Sequence, residues 1–283
     1  MTATVTDLGG ELVECTIDGL GELRFENFGP GEWLTQKGEP AKKSRRRYLL
    51  NGDEVDSVSS IVGTLDKPGL YPWHEDHGAR GGVEAERMGE LVGVPPEEII
   101  KRVRFLGLGA TAARDDGADR GTAIHSAFHT LATTGIAPKL SDFPVAWRGW
   151  VKGAARAWMA LDPEPLDSEF MVCHPELGYA GRPDLLCRVN GQRVLIDYKT
   201  NKGRVYDQAH YQTRGYVETF SHCGIEPVDK ILIVGIDDDG GFQLVDCAAT
   251  PEDWSALLHT FRARKRINAA MAAARKASKA ASV

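Results

Sequence analysis

No C-x-x-C pair occurs in this chain, and its five cysteines, Cys15, Cys173, Cys187, Cys223 and Cys247, are scattered and odd in number. That argues against a zinc ribbon or an iron–sulfur cluster, so free, mostly buried thiols in a reducing compartment are the expectation. Long apolar runs are missing too: none approaches the roughly 18 residues that span a bilayer. The first residues, MTATVTDLGGELVE, lack the basic start and apolar centre of a secretory signal. The expected location is the cytoplasm, with no membrane partner. No G-x-x-x-x-G-K-[ST] loop and no internal repeat are found, which leaves the chain without a P-loop of its own. Positive charge is in deficit overall, with a formal net charge of −6, so any polyanion would have to be met by local charge.

What is present suffices for a sizeable core: 283 residues, 42% of them hydrophobic, as one large domain or a domain with an extension. Positive charge concentrates at Lys42, Lys43, Arg45, Arg46 and Arg47, and again at Arg262, Arg264, Lys265, Arg266, Arg275, Lys276 and Lys279. Each run reads either as a track for a phosphate backbone or as a solvated face.

Periodicity orders the chain. ELVECTIDGLGELRFENF and the stretch around Asn51-Gly52 read as two β-hairpins. KPGLYPWHEDHGARGG, from Lys67, holds too much glycine and proline for regular structure, and VEAERMGELVGV and PPEEIIKRVRFLG then show helical spacing. DRGTAIHSAFHTLATTG is a helix stopped by Gly135, and SDFPVAWRGWVKGAARAWMALD is a second one with Phe143, Val145, Trp150, Val151 and Leu161 on its apolar face. The tryptophans there read as core, with stacking on unpaired bases as the other reading. From Ser168, SEFMVCHPELGYAGRPDLLCRVNGQRVLIDYKT reads as a three-stranded antiparallel meander turning at Gly178 and Asn190-Gly191. A helix over YDQAHYQTRGYVETFSHCG, the strand KILIVGID paired with GFQLVDCAA, and a last helix opened by Thr250 and Asp253 complete a mixed α/β order. Asp237-Asp238-Asp239-Gly240 resembles the start of a calcium loop, but its twelfth position is Ala248, so it reads as a hairpin turn.

Along RVLIDYKT the side chains alternate, which places Asp197 and Lys199 on one face with Leu195, while Val194, Ile196 and Tyr198 take the other. Charge in a strand this apolar is costly unless it is paired or binds a metal. The hairpin register brings Asp184 beside Asp197, and converging carboxylates are relieved by a hard divalent cation, Mg²⁺ or Mn²⁺. Lys199 on the same face could then hold or help activate a water. His125 and His129 share a helix face, but a zinc-protease reading lacks the glutamate after the first histidine, where Ser126 stands.

These residues resemble a known family. Gly181-Arg182-Pro183-Asp184 followed by Asp197-Tyr198-Lys199 is similar to the signature of the PD-(D/E)XK nucleases in its RecB-like, phage-exonuclease form. Gln212 and Tyr216 match the Q-x-x-x-Y of the following helix, and Gly121 with His125 matches an upstream G-x-x-x-H. The likeness covers about residues 117–250, with a fainter one in RRYLLNGDEVDSVSSIVGTLDKPGLYPW. It also extends to the CRISPR-adaptation nucleases, whose cluster needs three late cysteines; Cys223 and Cys247 cannot supply them. The resemblance implies that His125, Asp184, Asp197 and the backbone carbonyl of Tyr198 bind Mg²⁺ or Mn²⁺ and that Lys199 serves catalysis. It also implies that Glu169 holds a second metal or a water, the alternative being a solvated strand-start glutamate. Gln212 and Tyr216 would hold DNA or the catalytic strand, with ordinary packing as the other role for Tyr216.

The expected fold is an α/β restriction-endonuclease-like core, a central mixed five-stranded sheet flanked by helices, with an N-terminal β-hairpin extension. Residues 1–66 would form that extension, 67–250 the nuclease core with a helical insertion, and 251–283 a C-terminal helix and basic tail packed on the core. The expected function is that of a metal-dependent DNA exonuclease of recombination, repair or phage replication, in the bacterial host cytoplasm if phage-encoded. It would act on single- or double-stranded DNA ends beside a recombinase, annealing protein or helicase. The rivals are a non-catalytic DNA-binding or assembly subunit and a structure-specific endonuclease.

Overall fold

The structure, a computed structural model, describes residues 4–5, 11–29, 32, 45–67 and 70–281; Lys42 and Lys43 of the first basic run lie outside them. Five strands, β1 (Thr4–Val5), β2 (Glu11–Ile17), β3 (Gly21–Phe28), β4 (Arg45–Leu50) and β5 (Asp53–Ser57), follow one another antiparallel. Both expected hairpins are among them. Asn51 and Gly52 turn β4 into β5 at φ 51° and 89°, the doubly positive geometry whose twist suits a two-residue hairpin. The Asn51 side chain ties the two hairpins together: it accepts from Glu22 N–H at 3.0 Å and donates to the Leu20 carbonyl at 2.9 Å.

The expectation of a single five-stranded central sheet needs correction. A five-stranded mixed sheet is present, in the order β12 (Phe242–Asp246), β11 (Lys230–Ile236), β10 (Gln192–Lys199), β9 (Leu185–Val189), β6 (Glu164–Ser168), with β10 and β11 parallel. A second, seven-stranded mixed sheet joins β1 to β5 with β8 (Tyr179–Gly181) and β7 (Val172–His174), through a parallel pairing of Asp56 with Tyr179 and Ser57 with Ala180. The three-stranded meander read from Ser168 is therefore divided between the sheets. Its first segment breaks after Ser168, where Glu169 takes a positive φ of 51° that no strand accommodates. Alternating hydrophobicity marks strands but not which sheet they join, and so could not reveal the break.

The helices are α1 (Val58–Val62), α2 (Leu70–Arg87), α3 (Ile99–Phe105), α4 (Ala110–Thr134), α5 (Arg148–Leu161), α6 (Asp207–Val217) and α7 (Pro251–Ala281). α2 overturns the irregular reading of residues 67–82 from Leu70 onward; Pro68 and Gly69 lie outside the described residues. Pro72 falls in its first turn, where an amide hydrogen has no helical acceptor to lose. Gly81 is required by packing, since a Cβ there would come within 2.7 Å of the Gly109 backbone. α5 is shorter than read: Val145 lies outside it and is 76% exposed, while Trp150, Val151, Ala154 and Leu161 form the buried face.

The central strands of the five-stranded sheet, β9 to β11, are buried on both sides, while its edges β6 and β12 are largely exposed. Val194, Ile196 and Tyr198 share a core with Ile124 and Phe128 of α4 and Trp150 and Val151 of α5. Leu195 and Leu186 share another with Phe25 of the second sheet, Tyr216 of α6 and Trp254 of α7. Four cysteines are buried, Cys247 is half-buried, and all five are free thiols. α7 opens with the expected capping box: Thr250 N–H donates to Asp253 Oδ2 at 2.8 Å and Asp253 N–H to Thr250 Oγ1 at 3.2 Å. The second basic run lies on this helix, and its first members hold the fold: Arg262 donates to the Leu177 carbonyl, Arg264 to the Thr64 carbonyl at 2.8 Å, and Lys265 pairs with Asp56 at 2.6 Å.

At the end of β7, the edge strand of the second sheet, the His174 ring lies 4.0 Å from that of His222. Burial, and next the neighbouring His222, push His174 down to about 4. Between about pH 6.5 and pH 4 the unfolded chain therefore binds more protons at this site than the folded one, and stability falls as pH drops through that window. Urea midpoints at pH 7 and pH 5 should differ less for His174→Gln than for the native chain. An equal difference would show that His174 contributes nothing to the acid limb.

Candidate functional site

The alternation along β10 places its charges as expected. Tyr198 is buried toward α4, while Asp197, 1% exposed, and Lys199 follow Leu195 on the opposite face. Lys199 Nζ is 2.6 Å from Asp197 Oδ2 and donates to Gln212 Oε1 at 3.1 Å; Gln212 Nε2 in turn donates to Tyr216 Oη at 2.7 Å. Gln212 and Tyr216 lie one turn apart on α6, so a continuous polar line runs from strand to helix. Gly181 on β8 makes room for its far end, since a Cβ there would meet the Tyr216 ring at 2.4 Å. Gly181→Ala should displace Tyr216 and cost about 1–3 kcal/mol, as overpacking of cores does. Equal urea midpoints for variant and native would rule this out.

Asp184 sits one residue before β9, with Leu185 opposite Ile196, at the end of the pairing and not within the strand as read. Its Oδ2 accepts the Tyr198 amide hydrogen at 2.8 Å, while Oδ1 is 3.2 Å from His125 Nδ1 of α4. Glu169 reaches the same place from the break after β6: its Oε1 is 3.7 Å from His125 Nδ1, and its amide donates to the Asp184 carbonyl at 3.0 Å. Left-handed backbone at a non-glycine residue costs about 1–3 kcal/mol, and here it turns a carboxylate into the site.

His125, Glu169 and Asp184 thus offer an imidazole nitrogen and two carboxylate oxygens, all within 4.8 Å of one another. Asp197, expected in the same ligand set, is outside that group. Its carboxylate leaves the strand on the face opposite Tyr198 and is taken by Lys199. Tyr198 itself lies between the two halves, its amide on Asp184 and its phenol buried with no partner among the described residues. The pocket beside the cluster has about 10 Å³ of free volume, about the space of one water.

The electrostatics follow the geometry. Burial alone would lower His125, but the charge and hydrogen bond of Asp184 and the hydrogen bond of Glu169 prevail and push it up to about 10. Burial raises Asp184, and His125, Lys199 and the Tyr198 amide more than reverse it, leaving the carboxyl below its usual range. Burial pushes Asp197 up to about 6, opposed by Lys199 and reinforced by Asp184. Lys199 loses by burial and gains more from Asp197 and Asp184, and so is held firmly as the ammonium.

Sequence reasoning passed over Arg182. Its Nε donates to Glu169 Oε2 at 2.7 Å and its guanidinium lies 5.2 Å from the Phe25 ring centroid, joining the site to the second sheet. It stood within the Gly181-Arg182-Pro183-Asp184 run, but nothing in the spacing ties it to a glutamate beyond a chain break. At Gly121, a Cβ would meet Thr200 Oγ1 at an ordinary 3.6 Å, so sterics do not require glycine there. Asp237 to Gly241 is a hairpin turn as read, with Asp237 Oδ1 accepting from the amides of Asp239 at 3.1 Å and Gly241 at 2.6 Å.

Neither a protein-family model nor a curated relative matches the chain. Among solved structures it is similar to an alkaline exonuclease from Laribacter hongkongensis, with 15% identity and a TM-score of 0.32 over 56% of this chain and 85% of that one.

Proposed function

We propose that the chain is a Mg²⁺- or Mn²⁺-dependent deoxyribonuclease, an exonuclease that hydrolyses phosphodiester bonds at DNA ends in recombination, repair or phage replication. The observation that carries the chemistry is the approach of His125, Glu169 and Asp184 to within 4.8 Å beside the Asp197–Lys199 pair. The preference for ends, and a recombinase, annealing protein or helicase as partner, come from the motif resemblance. So does the reading of the five-stranded sheet as a restriction-endonuclease-like core within residues 67–250. No helix among the described residues is long and apolar enough to cross a membrane.

The donor set fits a hard cation: two carboxylate oxygens and one imidazole nitrogen, partly buried and mutually close; Asp197 and the Tyr198 carbonyl as further ligands come from the motif resemblance. Held there, Mg²⁺ or Mn²⁺ would supply polarisation of the scissile phosphate and a water of lowered pKa. Lys199, kept cationic and aimed by Asp197 and Gln212, offers its remaining N–H to the attacking water or the phosphate oxygens, where negative charge develops. Tyr216 holds Gln212, and Gln212 holds Lys199, so the ammonium is placed before substrate arrives.

The test is digestion of end-labelled linear DNA and covalently closed circular DNA with Mg²⁺, Mn²⁺ or chelator. Expected are release of label from linear DNA with either metal, none with chelator, and intact circles. Cut circles would turn the reading to an endonuclease. Retained DNA binding without cleavage under either metal would refute the nuclease reading in favour of a binding or assembly subunit.

A further inference from the structure

We infer that Ser168 and His129 are positioning residues that set the metal-binding carboxylate of Asp184, an inference that rests on the metal-dependent reading above. Ser168 Oγ is 2.9 Å from the Asp184 carbonyl oxygen and 3.0 Å from His129 Nδ1. A carbonyl oxygen can only accept, so the single hydroxyl proton of Ser168 goes to Asp184. His129 must then donate: the proton sits on Nδ1, and the line runs His129 Nδ1–H to Ser168 Oγ–H to Asp184 C=O.

The Asp184 carbonyl takes a second hydrogen bond from the Glu169 amide at 3.0 Å. Its main chain is thus gripped by two donors at the point where β6 stops. Its side chain is gripped by the Tyr198 amide at 2.8 Å, which leaves Oδ1 facing His125. Ser168 is buried and is itself fixed, its amide donating to Asp167 Oδ1 at 2.9 Å.

His129 stands one helical turn after His125 on α4, yet it is absent from the ligand group of His125, Glu169 and Asp184. The two histidines divide the work: the first faces the carboxylates, and the second holds the backbone that carries one of them. Side chains that orient metal ligands in this way typically matter to metal affinity by about 10- to 100-fold.

The experiment is calorimetric titration of the full chain with Mn²⁺ in the absence of DNA, beside thermal melts of the metal-free protein. Ser168→Ala and His129→Leu should weaken Mn²⁺ binding about tenfold or more while the metal-free melting temperature moves little. His129→Asn, whose side-chain amide can donate from near the Nδ1 position, should recover most of the loss. Native-like affinity in both Ser168→Ala and His129→Leu overturns the inference, as does an asparagine variant no better than leucine. Should Ser168→Ala fail to fold, the His129→Leu and His129→Asn pair decides alone. A native chain that takes up no Mn²⁺ overturns it as well. A native chain that binds Mn²⁺ but cuts no DNA instead refutes the nuclease reading and leaves the positioning roles standing.

Discussion

Replacing Asp184 with asparagine should lower the rate of metal-dependent DNA hydrolysis about a thousand-fold while leaving the fold in place. The amide keeps an oxygen for the Tyr198 N–H, now 2.8 Å from Oδ2, and keeps the volume of the side chain. What it removes is the negative charge that faces His125 at 3.2 Å and that a divalent cation would need. Loss of a single well-placed electrostatic group in an active site costs about 10²–10³ in rate, and loss of a metal ligand removes polarisation and water activation together. Lys199→Ala should reach a similar rate loss with a different side effect. It strips the buried Asp197 of its counter-charge, which then takes up a proton or destabilises the fold. Gln212→Ala, which only releases the ammonium, should cost about tenfold. Single-turnover rates on end-labelled DNA, each read beside a melting curve, separate these cases. An Asp184→Asn enzyme within tenfold of native, with Mg²⁺ saturating, would show that the carboxylate lies outside the reaction.

The second large effect concerns stability. Trp254, in the first turns of α7, is 2% exposed; its Nε1–H donates to Tyr179 Oη at 3.1 Å and its ring lies edge-on to Tyr179 at 5.3 Å. Against its other side stands Gly215 of α6, where a Cβ would come within 2.6 Å of the indole. Trp254→Ala opens a cavity between two helices and the second sheet and should cost about 3–5 kcal/mol. Trp254→Phe fills most of that space and forfeits chiefly the hydrogen bond, about 1 kcal/mol. Urea unfolding of both variants measures the difference; an alanine variant within 1 kcal/mol of native, against the handling of cores in general, would mean α7 does not share the cooperative unit. Because α6 also bears Gln212 and Tyr216, the alanine variant should lose cleavage at temperatures where the native chain is active.

Short-range chemistry was readable. Asn51-Gly52 and Asn190-Gly191 each placed a hairpin, Gly135 stopped α4, and Thr250 with Asp253 opened α7, because each of these signals acts over a few residues. The two faces of β10 were readable as well, since alternation is a local property. What could not be read depends on distant partners. α2 persists through its glycines because Gly109 packs against Gly81. The departure of β7 and β8 to another sheet depends on β5, and the turn at Glu169 depends on the Asp184 carbonyl. The standing of Asp197 outside the His125 group has the same origin: it depends on where α4 and the turn at Glu169 bring their side chains, and neither is written in the hairpin.

The parallel joint between β5 and β8 also sets a schedule for folding during synthesis. Asp56 cannot meet Tyr179 until the intervening chain has been made, and at about 5–20 residues per second that wait is on the order of 10 s. Throughout it, β5 is an edge strand without its neighbour. Its sequence, DEVDS, puts Asp53, Glu54 and Asp56 on that edge, and acidic side chains discourage a second nascent chain from pairing there. The carboxylate of Asp56 later receives Lys265 at 2.6 Å, so a charge that discourages pairing while the sheet is unfinished afterwards helps to seat α7.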